Sequence, residues 1–151
     1  MGKQQQGFTL VELIVVIVIL GILAATALPR FINLTGDAKA ASMKGLAGSM
    51  RAAVELVRGK WYVTGSTAAT TVTLADGTTT VAVGTTGAAA GVPTVAGIQT
   101  AAGILNTQYT CGGSPLSCTP FGGPTACIVT YTEGTGAVDE SAAIAANCGG
   151  N

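Results

Sequence analysis

Gly7-Phe8-Thr9-Leu10-Val11-Glu12-Leu13, continued by the apolar run Ile14 to Leu28, is the stretch on which the fold turns. A short polar leader with one cation, Lys3, ends at Gly7, and the hydrophobic segment beyond it holds a single charged residue, Glu12, near its start. Phe8 to Leu28 is 21 residues. As a helix rising ~1.5 Å per residue it is about 31 Å long, the thickness of a ~30 Å hydrocarbon core. An ionised carboxylate inside such a helix costs roughly 3 kcal/mol or more, so Glu12 marks a function and calls for a partner. Lys3 on the leader side agrees with a cytoplasmic N-terminus.

These residues resemble the class III signal of bacterial type IV prepilins. The resemblance implies that a prepilin peptidase cuts between Gly7 and Phe8 and that the new N-terminus, Phe8, is methylated. Two blander readings stand beside it. A secretory signal peptide has its small-residue cleavage site after the apolar region, whereas here the cut point precedes the run and the run stays with the mature chain. An ordinary N-terminal membrane anchor, with Glu12 snorkelling at the membrane edge, needs neither the Gly7–Phe8 junction nor a carboxylate at this position. By the resemblance, Glu12 neutralises the methylated amine of Phe8 on a neighbouring subunit. A carboxylate in an apolar bundle is tolerable only when paired, and an ammonium so close in sequence cannot easily pair with it in cis on a straight helix. The pair then sets axial register, because an unpaired Glu12 penalises wrong registers. The apolar remainder, Leu10 to Leu28, supplies packing, and a head-to-tail contact of this kind generates an open helical filament.

Composition excludes most alternatives. Lysine plus arginine and aspartate plus glutamate count seven each, so the chain has no large electrostatic footprint for nucleic acid. Charged residues are only 9% of the chain, a poor surface for solubility and a reasonable one for subunits that pack against copies of themselves. Loss of residues 1–7 removes Lys3 and leaves six basic against seven acidic side chains. There is no histidine, which removes imidazole-based triads and most zinc sites. No Gly-x-Ser-x-Gly elbow and no phosphate loop occur, so no catalytic residue, metal or cofactor is expected. Cys111, Cys118, Cys127 and Cys148 all fall in the last 41 residues, at spacings without the close C-x2-4-C pairs of zinc sites. They predict a disulfide framework and an oxidising compartment. Four cysteines allow three connectivities; the preferred one here is Cys111–Cys118 with Cys127–Cys148, the second closing a loop worth about 3 kcal/mol.

Along the chain, Gly21 and Pro29 punctuate the hydrophobic helix, and the missing N–H and ring of Pro29 predict a kink or loosening over 25–29. In the pilins that this resembles, a proline at the matching place accompanies local melting in the filament. From Arg30 to about Val63 the pattern turns amphipathic: Phe31, Leu34, Ala38, Ala41, Leu46, Met50, Val54, Val57 and Trp61 form one stripe expected to pack on a sheet. Trp61 is expected in the core, and Arg51 and Glu55, four apart, are placed to pair. Thr70–Leu74 and Thr78–Val83 flank Ala75-Asp76-Gly77, a hairpin signal. Thr85–Gly91 is expected as a loop and Val95–Leu105 as a short helix behind a Thr94 cap, weakened by Gly97 and Gly103. Residues 111–126 are turn-dense, Cys127–Thr132 is expected as a strand, and Ala142–Cys148 as its partner strand. Asn33-Leu34-Thr35 matches a glycosylation acceptor, a short pattern that often arises by chance.

The resemblance covers the whole chain in outline and is most specific over residues 7–34. Pro29 to Leu34, the Gly91-Val92-Pro93 to Gly97-Ile98 stretch and Cys127 to Tyr131 with Cys148 look most like mannose-sensitive haemagglutinin-type pilins, of type IVa. Val92 in place of an aromatic, and the extra Cys111–Cys118 segment, depart from that subgroup. The implied architecture is α+β: a long N-terminal helix, hydrophobic then amphipathic, on a small antiparallel sheet with a disulfide-bounded C-terminal loop. Its expected parts are a cleaved leader, 1–7, a membrane and filament-core helix, 8–29, and a globular domain, 30–151, with amphipathic helix 30–63. The implied function is that of a structural subunit, the major one, of a type IV pilus for adhesion, attachment or motility. Its partners would be copies of itself, the inner membrane before assembly, the prepilin peptidase, the assembly machinery and an unidentified surface ligand. It would move from the inner membrane to an extracellular filament. The alternative is a type II secretion pseudopilin forming a periplasmic piston. Such proteins carry an acidic calcium loop, whereas only Glu133, Asp139 and Glu140 occur in the C-terminal region here.

Overall fold

The computed structural model describes residues 8–65 and 68–149, and the side chains of these except 27–34. Gly7 and the leader therefore lie outside the described residues, as do the side chains of Pro29 and Asn33. The chain divides into two compact units, Met1–Leu34 and Thr35–Asn151.

One helix, α1, is assigned from Leu10 to Val63 without interruption, Gly21 and Pro29 included. The expected break is thus not a gap in secondary structure. A proline removes one backbone donor and holds a φ that a helix also uses, so helical assignment survives while the Ala25 carbonyl loses its intrahelical partner. Thr26 adds a second perturbation next door, its hydroxyl donating back to the carbonyls of Leu23 at 3.0 Å and Ile22 at 3.3 Å, a habit that bends helices.

In the second unit the buried face of α1 runs Gly36, Ala40, Met43, Ala47, Met50, Val54, Val57 and Trp61, in alternating steps of four and three, with Leu46 and Ala53 beside it. The sequence stripe is correct from Leu46 onward and out of phase at Ala38 and Ala41, while Phe31 and Leu34 lie outside the described side chains. Ala38 and Ala41 are exposed, while Ala40 and Met43 take the inward positions. Trp61 is buried, with its indole Nε1 donating to the Ala69 carbonyl at 3.0 Å. Arg51 does not pair with Glu55. Its guanidinium donates to Glu140 at 3.2 Å and to the Val138 carbonyl at 3.3 Å, since a carboxylate offered by a packed neighbour beats one that must lie along an exposed helix surface.

The Asp-Gly signal forms its hairpin. Strands β1 (Thr71–Thr73) and β2 (Thr80–Ala82) pair antiparallel with Val72 opposite Val81, both buried against Val57 and Trp61. Gly77 takes a positive φ of 73° in the turn, and the Asp76 carboxylate accepts from the backbone N–H of Thr78 and Thr79 and from the Thr79 hydroxyl. The connection Thr85–Gly91 contains a 3-10 turn at Gly87–Ala89, and a bridge between Val83 and Pro93 closes it. Helix α2 (Val95–Ala101) begins at Thr94, whose side chain accepts from the Gly97 N–H at 3.1 Å. Gly97 is required where it stands: a Cβ there would meet the Ala82 carbonyl at 2.5 Å, so glycine is what lets α2 lie against β2.

A second, four-stranded sheet has the order β3 (Tyr109–Gly112), β4 (Leu116–Pro120), β5 (Val129–Thr132), β6 (Ala137–Asp139), all antiparallel. Its inward side chains, Leu116, Cys118, Val129 and Tyr131, are fully buried with Met43, Ala47, Met50 and Val54 of α1. The turn-dense region 111–126 thus holds β4 and the end of β3. The partner of β5 is β6, not Ala142–Cys148. The latter ends in helix α3 (Ala145–Cys148), as its alanines prefer, with Asn147 Nδ2 holding the Ala142 carbonyl at 3.0 Å. Disulfides join Cys111 to Cys118, directly opposite on β3 and β4, and Cys127 to Cys148, which ties α3 to the start of β5. Gly36 lets α1 meet that tether: a Cβ on it would lie 2.8 Å from the Gly149 Cα and 2.9 Å from the Ala145 carbonyl.

Candidate functional site: the N-terminal end of helix α1

The described side chains of the first unit are exposed on every face of the helix. Phe8 is 92% exposed, and the large apolar side chains from Leu10 to Leu23 are between 47% and 72% exposed on every side of the helix. Full burial of one such side chain is worth about 1.5–3 kcal/mol, so this surface has a strong drive toward another apolar environment. Among the described residues no helix is long and apolar enough to cross a membrane. The expected span, Phe8 to Leu28, runs past Thr26, the last side chain described in that region.

Glu12 is the only charge among the described side chains of this unit, and the local sequence holds it at the helix start. Its Oε2 accepts from the Thr9 backbone N–H at 2.9 Å and the Thr9 hydroxyl at 2.7 Å, while the Glu12 N–H donates back to Thr9 Oγ1 at 3.3 Å. Leu13 N–H reaches the Thr9 carbonyl at 3.3 Å. This is a reciprocal capping box, with Thr9 at the cap and Glu12 three residues on, and the carboxylate also sits at the positive end of the helix dipole. Glu12 Oε1 accepts no hydrogen bond among the described residues, so one carboxylate oxygen stays open to a further donor.

Of the predicted site residues, Phe8 and Glu12 are therefore at one uncovered helix end. Every hydrogen bond to the Glu12 carboxylate among the described residues comes from Thr9, not from Phe8. Thr9 is a further residue of the site. The signal was present in Thr9-Leu10-Val11-Glu12, a Thr-x-x-Glu immediately before an apolar run. Among the described residues no group of histidine, cysteine, aspartate or glutamate is arranged to hold a metal ion.

The model of the family described as the prokaryotic N-terminal methylation motif matches residues 2–28. The chain is 42% identical over 83 residues to the type IV narrow pilus major component PilA5 of Thermus thermophilus, covering 47% of this chain and 72% of that one. It is 39% identical over 79 residues to the type IV major pilin PilE1 of Neisseria gonorrhoeae, covering 50% and 48%. It is also 43% identical over 56 residues to the type II secretion system core protein G of Pseudomonas aeruginosa, covering 37% and 39%. The chain thus spans less than half the length of the last two relatives. No solved structure matches.

Proposed function

We propose, on the premise that this chain belongs to the type IV pilin family, that it is a structural subunit, the major one, of a surface pilus. The carrying observation is an all-round apolar helix left uncovered except for one capped carboxylate at its start. Cleavage between Gly7 and Phe8 frees an amine at the end of that helix, and methylation of Phe8 completes the mature N-terminus. In the membrane the helix 8–29 lies in lipid, with Glu12 near the headgroups. On assembly it moves into a bundle of identical helices, where the open Glu12 oxygen takes the Phe8 amine of a neighbouring copy. Gly21 and Pro29, with the back-bonded Thr26, are where the helix gives way to fit the filament. The assigned role includes no catalysis. It needs the prepilin peptidase, the inner membrane and an assembly machinery. The filament then stands outside the cell to serve adhesion, attachment or motility toward a ligand that the chain does not specify.

Intact mass spectrometry of protein sheared from the cell surface tests this. A mass lacking residues 1–7, raised by one methyl and by four further hydrogens when both disulfides are reduced, is the expected result. A full-length mass found only in membranes would leave a plain anchored protein.

The similarity to a type II secretion core protein favours a second reading, a pseudopilin. Two features weigh against it. The C-terminal region is held by two disulfides. Its acids are already engaged, Glu133 with the Val95 N–H, Asp139 with the Ser141 N–H and Glu140 with Arg51. Recovery of the protein in periplasmic but never in surface filaments would decide for the pseudopilin.

A further inference from the structure

Asp76-Gly77 is the one place in the chain where an aspartate or asparagine is followed by glycine. Such a pair is a covalent weak point. The amide nitrogen after the acid can attack the side-chain carbon, and glycine has no Cβ to stand in the way. In that reaction the Gly77 nitrogen bonds to Asp76 Cγ and gives up its proton. The Cγ–O bond of the protonated carboxyl breaks, and the hydroxyl leaves with that proton as water. The five-membered succinimide then takes water back at either carbonyl. One product is aspartate again, and the other is isoaspartate, whose main chain is longer by one carbon. The only co-reactant is the water that leaves and returns.

The same two residues form the turn between β1 and β2, and the turn engages each group that the reaction needs. The nucleophile is tied down, because the Gly77 N–H donates to the Leu74 carbonyl at 3.1 Å. So is the carboxylate. Asp76 Oδ1 accepts from the N–H of Thr78 at 3.0 Å and of Thr79 at 2.9 Å, and Oδ2 accepts from the Thr79 hydroxyl. Departure of either oxygen as water gives up at least one of these bonds, and deprotonation of Gly77 gives up the bond to Leu74. The Thr79 hydroxyl, with the two N–H groups, also favours the ionised carboxylate and keeps the carboxyl at about 2 where 3.8 is ordinary. The protonated, reactive form is thus more than about tenfold scarcer at neutral pH than on an unstructured chain. Around the turn, the Leu74 N–H donates to the Thr79 carbonyl at 2.8 Å, and Thr73 stands opposite Thr80 and Val72 opposite Val81. Val72 and Val81 are buried with Val57 and Trp61, so the register is fixed by the core. An extra main-chain carbon in the turn has no place in it.

We infer that Asp76-Gly77 is a latent self-modification site: the closed β1–β2 hairpin keeps it unreactive, and opening of the hairpin lets it pass through succinimide to isoaspartate. The lengthened turn does not return to the native register. An otherwise reversible opening therefore leaves a permanent mark on the chain. Nothing in this chemistry depends on whether the chain builds a filament.

The test follows isoaspartate formation at Asp76 in the full-length, detergent-solubilised chain near neutral pH. Peptide mass spectrometry after cleavage before aspartate, which isoaspartate resists, gives the readout. Native wild-type chain should accumulate isoaspartate at least about tenfold more slowly than the same chain unfolded in guanidinium chloride with its disulfides reduced. Thr79→Val removes the hydroxyl that donates to Oδ2 and should speed the native reaction roughly threefold or more. Thr79→Ser keeps a hydroxyl and should stay close to wild type. Incubation below the lowest unfolding midpoint of the three chains keeps each of them folded during the assay. A native wild type that reacts as fast as the unfolded chain would overturn the inference whatever the variants do. So would a folded Thr79→Val chain no faster than wild type.

Discussion

Tyr131 shows how single side chains tie the two parts of the domain together. Its phenol is fully buried and donates to the Pro93 carbonyl, 38 residues away in sequence. Burial, with the nearby Glu133 charge adding to it, pushes the phenol well above the ordinary tyrosine range. Tyr131→Phe leaves that carbonyl unpaired, and we expect a loss of about 1–3 kcal/mol in denaturant unfolding of the detergent-solubilised chain. The folded state favours the neutral phenol. Its contribution is therefore complete below about pH 10, the unfolded value, and falls away as pH rises beyond that. Asp76 behaves in the opposite sense. The Thr79 hydroxyl, then the N–H groups of Thr79 and Thr78, hold its carboxyl down at about 2 against an ordinary 3.8. Its support of the hairpin is present above pH 3.8 and is lost as pH falls toward 2. Acid titration should show this step in the wild type, and Asp76→Asn should remove it. At the other end, Thr9→Val breaks the capping box, which is worth about 1 kcal/mol to a helix start. It should lower filament yield without altering the unfolding midpoint of the disulfide-bonded domain. An equal fall in that midpoint would mean that Thr9 acts on the fold and not on assembly.

Among the elements, α1 carries the clearest lesson about alanine. The sequence pattern placed Ala38 and Ala41 inward, yet Ala40 and Ala47 are the buried ones. A methyl group fits either face, so only the large residues Met43, Met50, Val54, Val57 and Trp61 fix the phase. Met50→Ala should cost about 2–5 kcal/mol by leaving a cavity against the sheet, while Ala41→Ser should stay within about 0.5 kcal/mol. The comparison of their urea midpoints checks which face is in. Local chemistry read well wherever it was self-contained: Asp76-Gly77 made its turn, and Thr94 capped α2. It read poorly where pairing is long-range. Cys111-Gly112-Gly113-Ser114-Pro115 looks like turn alone, but Cys111 and Gly112 extend β3 against β4. Ala142–Cys148 looks half like a strand, but the tight Gly134-Thr135-Gly136 turn had already supplied β6 to that edge.

At the scale of the whole molecule, a modest core is reinforced by covalent closure. The Cys127–Cys148 bond spans 21 residues and ties α3 down where α1 passes over Gly149. Replacing both cysteines by serine should lower stability by about 3 kcal/mol, and by less for the seven-residue Cys111–Cys118 link, as separate denaturant curves would show. The sequence by itself determined the N-terminal segment of α1: the apolar run and the solitary Glu12 at its start. A membrane-compatible helix is defined by composition within a few turns and needs no contact with the rest of the chain. It also determined the hairpin and the cap of α2. Only the tertiary structure decided that Arg51 answers to Glu140 and not to Glu55, and that β6 and not Ala142–Cys148 completes the sheet. Each of these depends on which surfaces the folded chain brings together. Residues with weak local preferences, here alanine, glycine and threonine, leave that choice to packing.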